Sequence, residues 1–233
     1  MGQAILCGIL LICMVLGYLL GSLNTSILVG RAYGVNIKKE GSKNAGMSNT
    51  MRVLGKKAGI FVILGDVTKG VLACLIGYFV CVWMQDMTVS WRTETIHDGL
   101  WVIPTAEPIY GMFVGGLGAV LGHNWPVYFR FQGGKGVLTS FAVLLVMDWR
   151  PALIALGVFA LILLIMRYVS VASMLAAVAF FVLYMVANRQ ALDWFLVTIV
   201  GAMCLLVIVM HHSNIKRLLK GEEHRLQWRK RDG

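Results

Sequence analysis

Four polar clusters interrupt an otherwise apolar chain, and their side chains suit phosphate chemistry. They are EGSKNAGMSNTMR at 40–52, GHNWPVYFRFQGGKG at 122–136, RYVSVAS at 167–173 and HHSNIKR at 211–217. Amides at glycine-rich turns and Ser, Asn, Lys and Arg side chains are groups that bind phosphate in proteins. Glu40 is the only acid in the four clusters. Because divalent metal sites need carboxylates, we expect a phosphate site with no metal and no other cofactor.

The second cluster ends in a glycine-rich turn, Gly133–Gly136, that includes Lys135. Glycines weaken a helix but let backbone amides point at an anion. The turn is not a nucleotide-binding P-loop, since GxxxxGK[ST] would require glycine at Phe129 and a hydroxyl at Gly136. The sequence also has no GxSxG motif for a serine nucleophile. The turn therefore indicates a phosphate cradle without a metal or a nucleotide.

Each of these residues also has a purely structural interpretation. Lys135, His211 and His212 could be anchors at a membrane interface, and Ser170 with Ser173 could be small residues that let helices pack closely. The functional interpretation is favoured because the predicted topology, described below, puts all four clusters on one side of the membrane.

A fifth polar feature lies within an apolar run. Asp66 and Lys69 are three residues apart and so share one face of a predicted helix. They predict an ion pair inside the membrane. The pair either holds the bundle together or belongs to the site, and the sequence leaves both interpretations open.

The elements that must position these clusters are membrane helices. The 233-residue chain is 58% hydrophobic, with a mean hydropathy of +0.77, and only 14% charged, against about 25% in ordinary soluble domains. Apolar runs such as ALIALGVFALILLIM at 152–166 are too many for a soluble core of this size. The composition predicts an all-α polytopic membrane bundle. No linker divides it, so we expect one domain over 1–233, with a short basic tail at 211–233.

The number of membrane spans follows from the apolar segments, since about 20 residues cross a bilayer. The third and fourth segments are short and flank the glycine-rich turn, so they could be half-helices or a re-entrant pair. Seven spans are therefore predicted, with five as the alternative. The seven segments are 4–29 (interrupted by GSLNTS at 21–26), 58–84, 109–121, 137–147, 151–166, 168–187 and 192–210.

The distribution of Lys and Arg predicts the orientation. In this topology 17 of the 21 basic residues fall on one side, including the stretch before the second span and the tail. Cytoplasmic loops collect Lys and Arg, so we expect the amino terminus outside, the carboxyl terminus inside and the four clusters at the cytoplasmic face of the inner membrane. The net charge of +10 also suits contact with anionic lipid headgroups.

Taken in order, four sequence blocks resemble the bacterial PlsY family of acyl-phosphate:glycerol-3-phosphate acyltransferases. The blocks are GSKNAGMSNTMRVLGKKAG, GHNWPVYFRFQGGKG, YVSVAS and HHSNIKRLLKGEE, and the similarity extends from about residue 21 to 223. The resemblance implies that the 1-hydroxyl of glycerol 3-phosphate attacks a fatty acyl phosphate. The products would be lysophosphatidic acid and inorganic phosphate, in the first acylation of phospholipid biosynthesis. The implied partners are these two substrates and membrane lipids, without nucleic acid, and the oligomeric state is not specified.

The resemblance also implies roles for individual residues. Lys135 would neutralise the leaving phosphate, and the proton of the attacking hydroxyl would pass to a histidine or to a substrate phosphate. His212, Ala45 and Asn24 depart from the residues usual in the family, but the charged positions are intact. The implied catalytic residues are Lys135, His211, Asn214 and Arg52. The implied substrate-binding residues are Ser42, Asn44, Asn49, His123, Gly133, Gly134, Gly136, Ser170 and Ser173.

Two other functions are compatible with polar clusters in a membrane protein. A transporter or channel for an organic phosphate would show inverted repeats and polar residues that reach the midplane from both sides. The sequence has no evident repeat, and its clusters fall on one predicted side. An enzyme that acts on another lipid phosphate is the second alternative, and the assay described below separates it from an acyltransferase.

Overall fold

A computed structural model describes the backbone of residues 2–92 and 107–226, and every regular element in these ranges is helical. A short 3-10 turn at Val127–Phe129 separates α5 from α6. The helices are α1 Gly2–Gly21, α2 Thr25–Ala32, α3 Met47–Leu54, α4 Lys56–Arg92, α5 Pro108–Asn124, α6 Val137–Met147, α7 Trp149–Met166, α8 Val169–Ala187, α9 Trp194–Met210 and α10 His212–Leu219.

The helical membrane architecture is confirmed, but a count of seven spans is not. Within the described residues, four helical segments are long and apolar enough to cross a bilayer, and a fifth arises if the bent pair α9 and α10 is one span. The predicted third and fourth spans correspond to α5 and α6, which have only 17 and 11 residues. Seven spans and the orientation of the termini stay predictions.

The first span contains the interruption that its sequence predicted. Helix α1 ends at Gly21, and α2 begins at Thr25 after Asn24, whose side-chain oxygen accepts a hydrogen bond from the amide of Ile27 at 3.1 Å. This is the usual way in which Asn caps the start of a helix. Two aspartates cap α7 and α9 in the same way: Asp148 accepts from the Arg150 amide, and Asp193 from the Phe195 amide.

The chain divides into two compact units, residues 1–147 and 148–233. The first contains α1 to α6, and the second contains α7 to α10. In the second unit α8 packs against α7 and α9, with Phe180, Val200 and Met203 buried in its interior. Large apolar side chains on its outer faces, such as Ile165 and Leu205, are exposed, as expected for helices surrounded by lipid.

In the first unit α5 packs against α1 and α4 with almost no side chains between the backbones. A Cβ atom on Gly115 would lie 2.6 Å from the carbonyl oxygen of Ala73 in α4, and one on Gly122 would collide with the carbonyl oxygen of Tyr18 in α1. Such approach is possible only without a Cβ, and small residues support close helix packing in membranes. The α5 glycines in these contacts are Gly111, Gly115, Gly118 and Gly122.

Candidate active site

The glycine-rich turn is held by the end of α5 and leads directly into α6. The amides of Gly133 and Gly134 donate to the carbonyl oxygens of Asn124 and His123 at 3.2 and 3.1 Å. These two amides are therefore used within the fold. The pairing places Lys135 two residues before α6, whose first amides have no partner within the helix and attract anions.

Gly134 leaves no space for a side chain. A Cβ atom there would collide with the carbonyl oxygen of Ala45 and with Nε2 of His123. The turn is thus in direct contact with the loop that precedes α3, so the structure brings the first two polar clusters together. The position of Lys135 depends on this close contact.

We expect Gly134→Ala to lower kcat/KM for the acyl transfer that the sequence resemblance implies by about 100-fold, since the added methyl must displace the turn and small misplacements of reacting groups cost about that much. The matched control is Gly157→Ala in α7, where a Cβ atom meets nothing within 4 Å. There the same change should leave activity intact. Steady-state kinetics on both variants in detergent test this, and equal activities would show that the turn tolerates the shift.

His123 belongs to a buried polar network beneath the turn. Its Nδ1 lies 2.8 Å from Nζ of Lys69, and Lys69 forms an ion pair of 2.9 Å with Asp66. The Thr139 hydroxyl in α6 is 3.4 Å from the same ring nitrogen. The ion pair predicted from the three-residue spacing is confirmed. The contact between Lys69 and His123 joins α4 to the end of α5, which leads into the glycine-rich turn.

Two further buried side chains lie close to the turn. A Cβ atom on Gly136 would be 2.6 Å from Oδ1 of Asn124, so this amide lies directly against the turn. Among the described residues, neither the Asn124 amide nor the Ser140 hydroxyl has a hydrogen-bond partner, although both residues are about 2% exposed. Buried polar groups are normally paired, so these two are candidates for contact with a bound molecule. The sequence interpretation did not select either residue.

The loop before α3 is organised by Asn49. Its amide nitrogen donates to the carbonyl oxygens of Ile37 and Glu40, and its oxygen accepts from the Ser42 amide at 2.8 Å. This buried side chain therefore braces the loop that carries Ser42 and Asn44, both partly exposed. Arg52, in the last turn of α3, is exposed.

In the second unit one carboxylate joins the third and fourth polar clusters. Glu223 Oε1 accepts from the Ser170 hydroxyl at 2.8 Å and from Asn214 Nδ2 at 2.6 Å, and its Oε2 accepts from Arg217 Nε at 2.8 Å. Burial opposes ionisation of Glu223, but these hydrogen bonds outweigh it and lower the pKa of the carboxyl below its ordinary value of 4.5. Glu223 is thus an anion at neutral pH. The sequence interpretation did not select it, because it is one of three acids in a basic tail.

The two serines of the third cluster differ in their contacts. Ser170 donates to Glu223, whereas the Ser173 hydroxyl donates to the carbonyl oxygen of Val169 in its own helix at 2.8 Å. Such a bond is a common local arrangement for serine in membrane helices. Ser170 therefore belongs to the polar group around Glu223, while a substrate-binding role for Ser173 stays a prediction.

His211 lies at the bend of 48° between α9 and α10 and is 3% exposed. Its Nδ1 is 2.7 Å from the carbonyl oxygen of Val207, which can only accept. This contact assigns the proton of the neutral ring to Nδ1 and the lone pair to Nε2. In His123, Nδ1 lies 2.8 Å from Nζ of Lys69 and 3.5 Å from Oδ1 of Asp66, so its contacts do not select one tautomer.

These features define a helical integral membrane protein with one polar group in each unit, both rich in hydrogen-bond donors and cations. The chain matches the model of the glycerol-3-phosphate acyltransferase family over residues 11–221. A glycerol-3-phosphate acyltransferase of Nostoc sp. (strain PCC 7120) is 37% identical over 95% of this chain and 92% of its own length.

Solved structures of PlsY, an integral membrane glycerol 3-phosphate acyltransferase, are also similar. At 32% identity, the glycerol 3-phosphate form has a TM-score of 0.75 and the lysophosphatidic acid form one of 0.73. Both comparisons cover 94% of this chain, and 96% and 95% of the PlsY chains. The chain therefore belongs to the glycerol-3-phosphate acyltransferase family and is an acyltransferase, which confirms the resemblance found in the sequence.

Proposed function

We propose that this enzyme transfers a fatty acyl group from an acyl phosphate to the 1-hydroxyl of glycerol 3-phosphate. The hydroxyl oxygen forms a bond to the acyl carbon, the bond from that carbon to the phosphate oxygen breaks, and lysophosphatidic acid and inorganic phosphate are released. The observation that carries the proposal is the placement of Lys135 just before α6 by the glycine-rich turn, in a chain of this family.

The glycine-rich turn and α6 are proposed to bind the phosphate of the acyl donor. The amides at the start of α6 carry a partial positive charge, and the Lys135 ammonium adds a full one. As the carbon–oxygen bond breaks, negative charge grows on the leaving phosphate, and fixed positive groups stabilise it. Nδ2 of Asn124, which has no hydrogen-bond partner among the described residues, is proposed as a further donor for this phosphate.

The loop before α3 is proposed to bind the phosphate of the acceptor substrate. The exposed Arg52 and the loop residues Ser42 and Asn44 offer a cation and donors for its phosphate, with Asn49 in a positioning role. Asn214 and His211 of the second unit are proposed to act in catalysis. The proton released on attack passes to Nε2 of His211 or to a phosphate oxygen of the substrate.

The proposal places the reaction at the cytoplasmic face of the inner membrane. Its support is the bias of Lys and Arg along the chain, which also favours an external amino terminus and an odd number of spans. The family match extends over 11–221 and therefore includes parts of both units, which supports a single catalytic domain over the whole chain.

The test is an assay on the purified protein in detergent with palmitoyl phosphate and labelled glycerol 3-phosphate, without metal or nucleotide. We expect labelled lysophosphatidic acid and an equal amount of phosphate. Parallel reactions with palmitoyl-CoA and palmitoyl-acyl carrier protein identify the donor. Product from a thioester but not from acyl phosphate would contradict the proposed donor, and no product from any donor would contradict the whole proposal.

A further inference from the structure

Two buried thiols face each other inside the first unit. Cys13 of α1 and Cys81 of α4 are 68 positions apart in the sequence, and their Sγ atoms are 4.0 Å apart. Both are free thiols, and neither side chain is exposed. The fold therefore places each of these cysteines in direct contact with a partner for a disulfide.

The backbones of α1 and α4 approach closely at this point. The Cys13 thiol also donates to the carbonyl oxygen of Gly77 at 3.5 Å, one helical turn before Cys81 on α4. Gly77 has no room for a side chain, because a Cβ atom there would collide with the carbonyl oxygen of Gly111 in α5. A short distance between helices is what a disulfide needs, since the Cα atoms of bridged cysteines are about 4.4–6.8 Å apart. To form the bond, the sulfur atoms have to approach by about 2 Å, which rotation about the two Cα–Cβ bonds can supply.

The surroundings of the pair determine which oxidant fits it. Both cysteines lie in helical segments that are long and apolar enough to cross a bilayer, so ions and water-soluble thiols are excluded from the two sulfur atoms. Hydrogen peroxide is small and neutral. In the net reaction two thiols and one peroxide give one disulfide and two waters, so no charge is created. A peroxide is therefore the class of oxidant that suits this site.

The oxidation takes place in two steps. In the first, one sulfur atom attacks a peroxide oxygen, the O–O bond breaks, and a sulfenic acid and one water are formed. Burial makes this step slow, because the thiolate is the nucleophile. In the second, the other sulfur attacks the sulfenic sulfur, the S–S bond forms, and the hydroxyl leaves with the remaining thiol proton as water. The two sulfurs together lose two electrons, which reduce the peroxide, and their contact makes the second step faster than further oxidation of the sulfenic acid.

We propose that Cys13 and Cys81 form a modification site at which a peroxide produces a disulfide between α1 and α4. Cys81 follows Lys69 by twelve residues, or about 18 Å along α4, so the site is remote from the glycine-rich turn. The disulfide stabilises the helices that support the turn and leaves the turn itself unchanged. The inference is independent of the acyl donor and acceptor proposed above.

The test is treatment of the purified protein in lipid nanodiscs with hydrogen peroxide, followed by denaturation with N-ethylmaleimide and mass spectrometry. After treatment the protein should be alkylated at three of its five cysteines, with Cys13 and Cys81 in one cross-linked peptide. Dithiothreitol added to the denatured protein before alkylation should restore all five. The melting temperature of the oxidised protein should rise by about 5 °C or more, because a link between residues so far apart in sequence restricts the unfolded chain.

Cys81→Ala should lose both the cross-link and the rise in melting temperature. The matched control is Cys74→Ala, which removes another buried thiol of α4 and should retain both effects. Thermal unfolding before oxidation shows whether each variant is folded, and Cys13→Ala replaces Cys81→Ala if the latter is not. Five alkylated cysteines in the treated protein, sulfinic acid in place of the cross-link, or an unchanged melting temperature would each overturn the inference.

Discussion

Lys135→Ala is expected to lower the rate of acyl transfer by about 100- to 1,000-fold, the usual effect of removing one group that stabilises transition-state charge. The glycine-rich turn fixes this lysine just before α6, where the leaving phosphate is proposed to bind. Because negative charge on that phosphate grows as the acyl bond breaks, the loss should fall mainly on kcat. Steady-state kinetics with saturating glycerol 3-phosphate measure it.

Lys220→Ala is the control for this prediction, since it removes one exposed lysine just after α10, outside the glycine-rich turn. Its kcat should stay within about twofold of the original, as for other surface substitutions. The melting temperatures of both variants should match that of the unchanged protein. A Lys135→Ala enzyme with nearly normal kcat would remove this lysine from the mechanism.

Asp66→Asn should destabilise the protein by about 3–5 kcal/mol, because it leaves the Lys69 ammonium buried without its counter-charge. The two side chains are 2% and 5% exposed and 2.9 Å apart. Lys69 also contacts His123, whose carbonyl oxygen accepts from the Gly134 amide, so we expect the glycine-rich turn to loosen as well. Thermal and denaturant unfolding in detergent measure the stability, and the acyl-transfer assay measures the effect on the turn.

Replacing both residues of the ion pair separates the effect of their charges from the effect of their packing. Asp66→Leu combined with Lys69→Met should be less damaging than Asp66→Asn alone, since it leaves no uncompensated charge. Glu222→Gln, an exposed carboxylate, should change stability by no more than about 0.5 kcal/mol. If Asp66→Asn is as stable as this control, the ion pair contributes nothing to the fold.

The sequence was sufficient to predict a helical membrane protein and the break in its first span. Long apolar runs and the Asn24 cap are local features, and both are visible in one window of sequence. The lengths of α5 and α6 were not predictable in this way. Hydropathy responds to apolar side chains, and α5 is instead built around glycines whose role depends on the neighbouring helices.

In the candidate site, too, contacts between residues close in sequence were predictable, and contacts between residues far apart in sequence were not. The Asp66–Lys69 pair follows from three-residue spacing on one helix and was predicted. The contact of Glu223 with Ser170 joins residues 53 positions apart, so no periodicity or motif spacing indicates it. Likewise, the sequence does not distinguish Ser170 from Ser173. Their hydrogen bonds do, since Ser170 donates to Glu223 and Ser173 donates to the carbonyl oxygen of Val169.

The glycine contacts of α5 limit how this enzyme can adapt. Where backbones touch, no side chains remain to be exchanged, so Gly115 and Gly122 have no conservative substitute. The outer faces of the second unit differ from this, because large apolar side chains such as Ile165 and Leu205 are exposed there. Fluid lipid does not require one particular side-chain shape. Adjustment to bilayers of different thickness or fluidity is therefore open to α7, α8 and α9, whereas the scaffold beneath Lys135 has to be inherited unchanged.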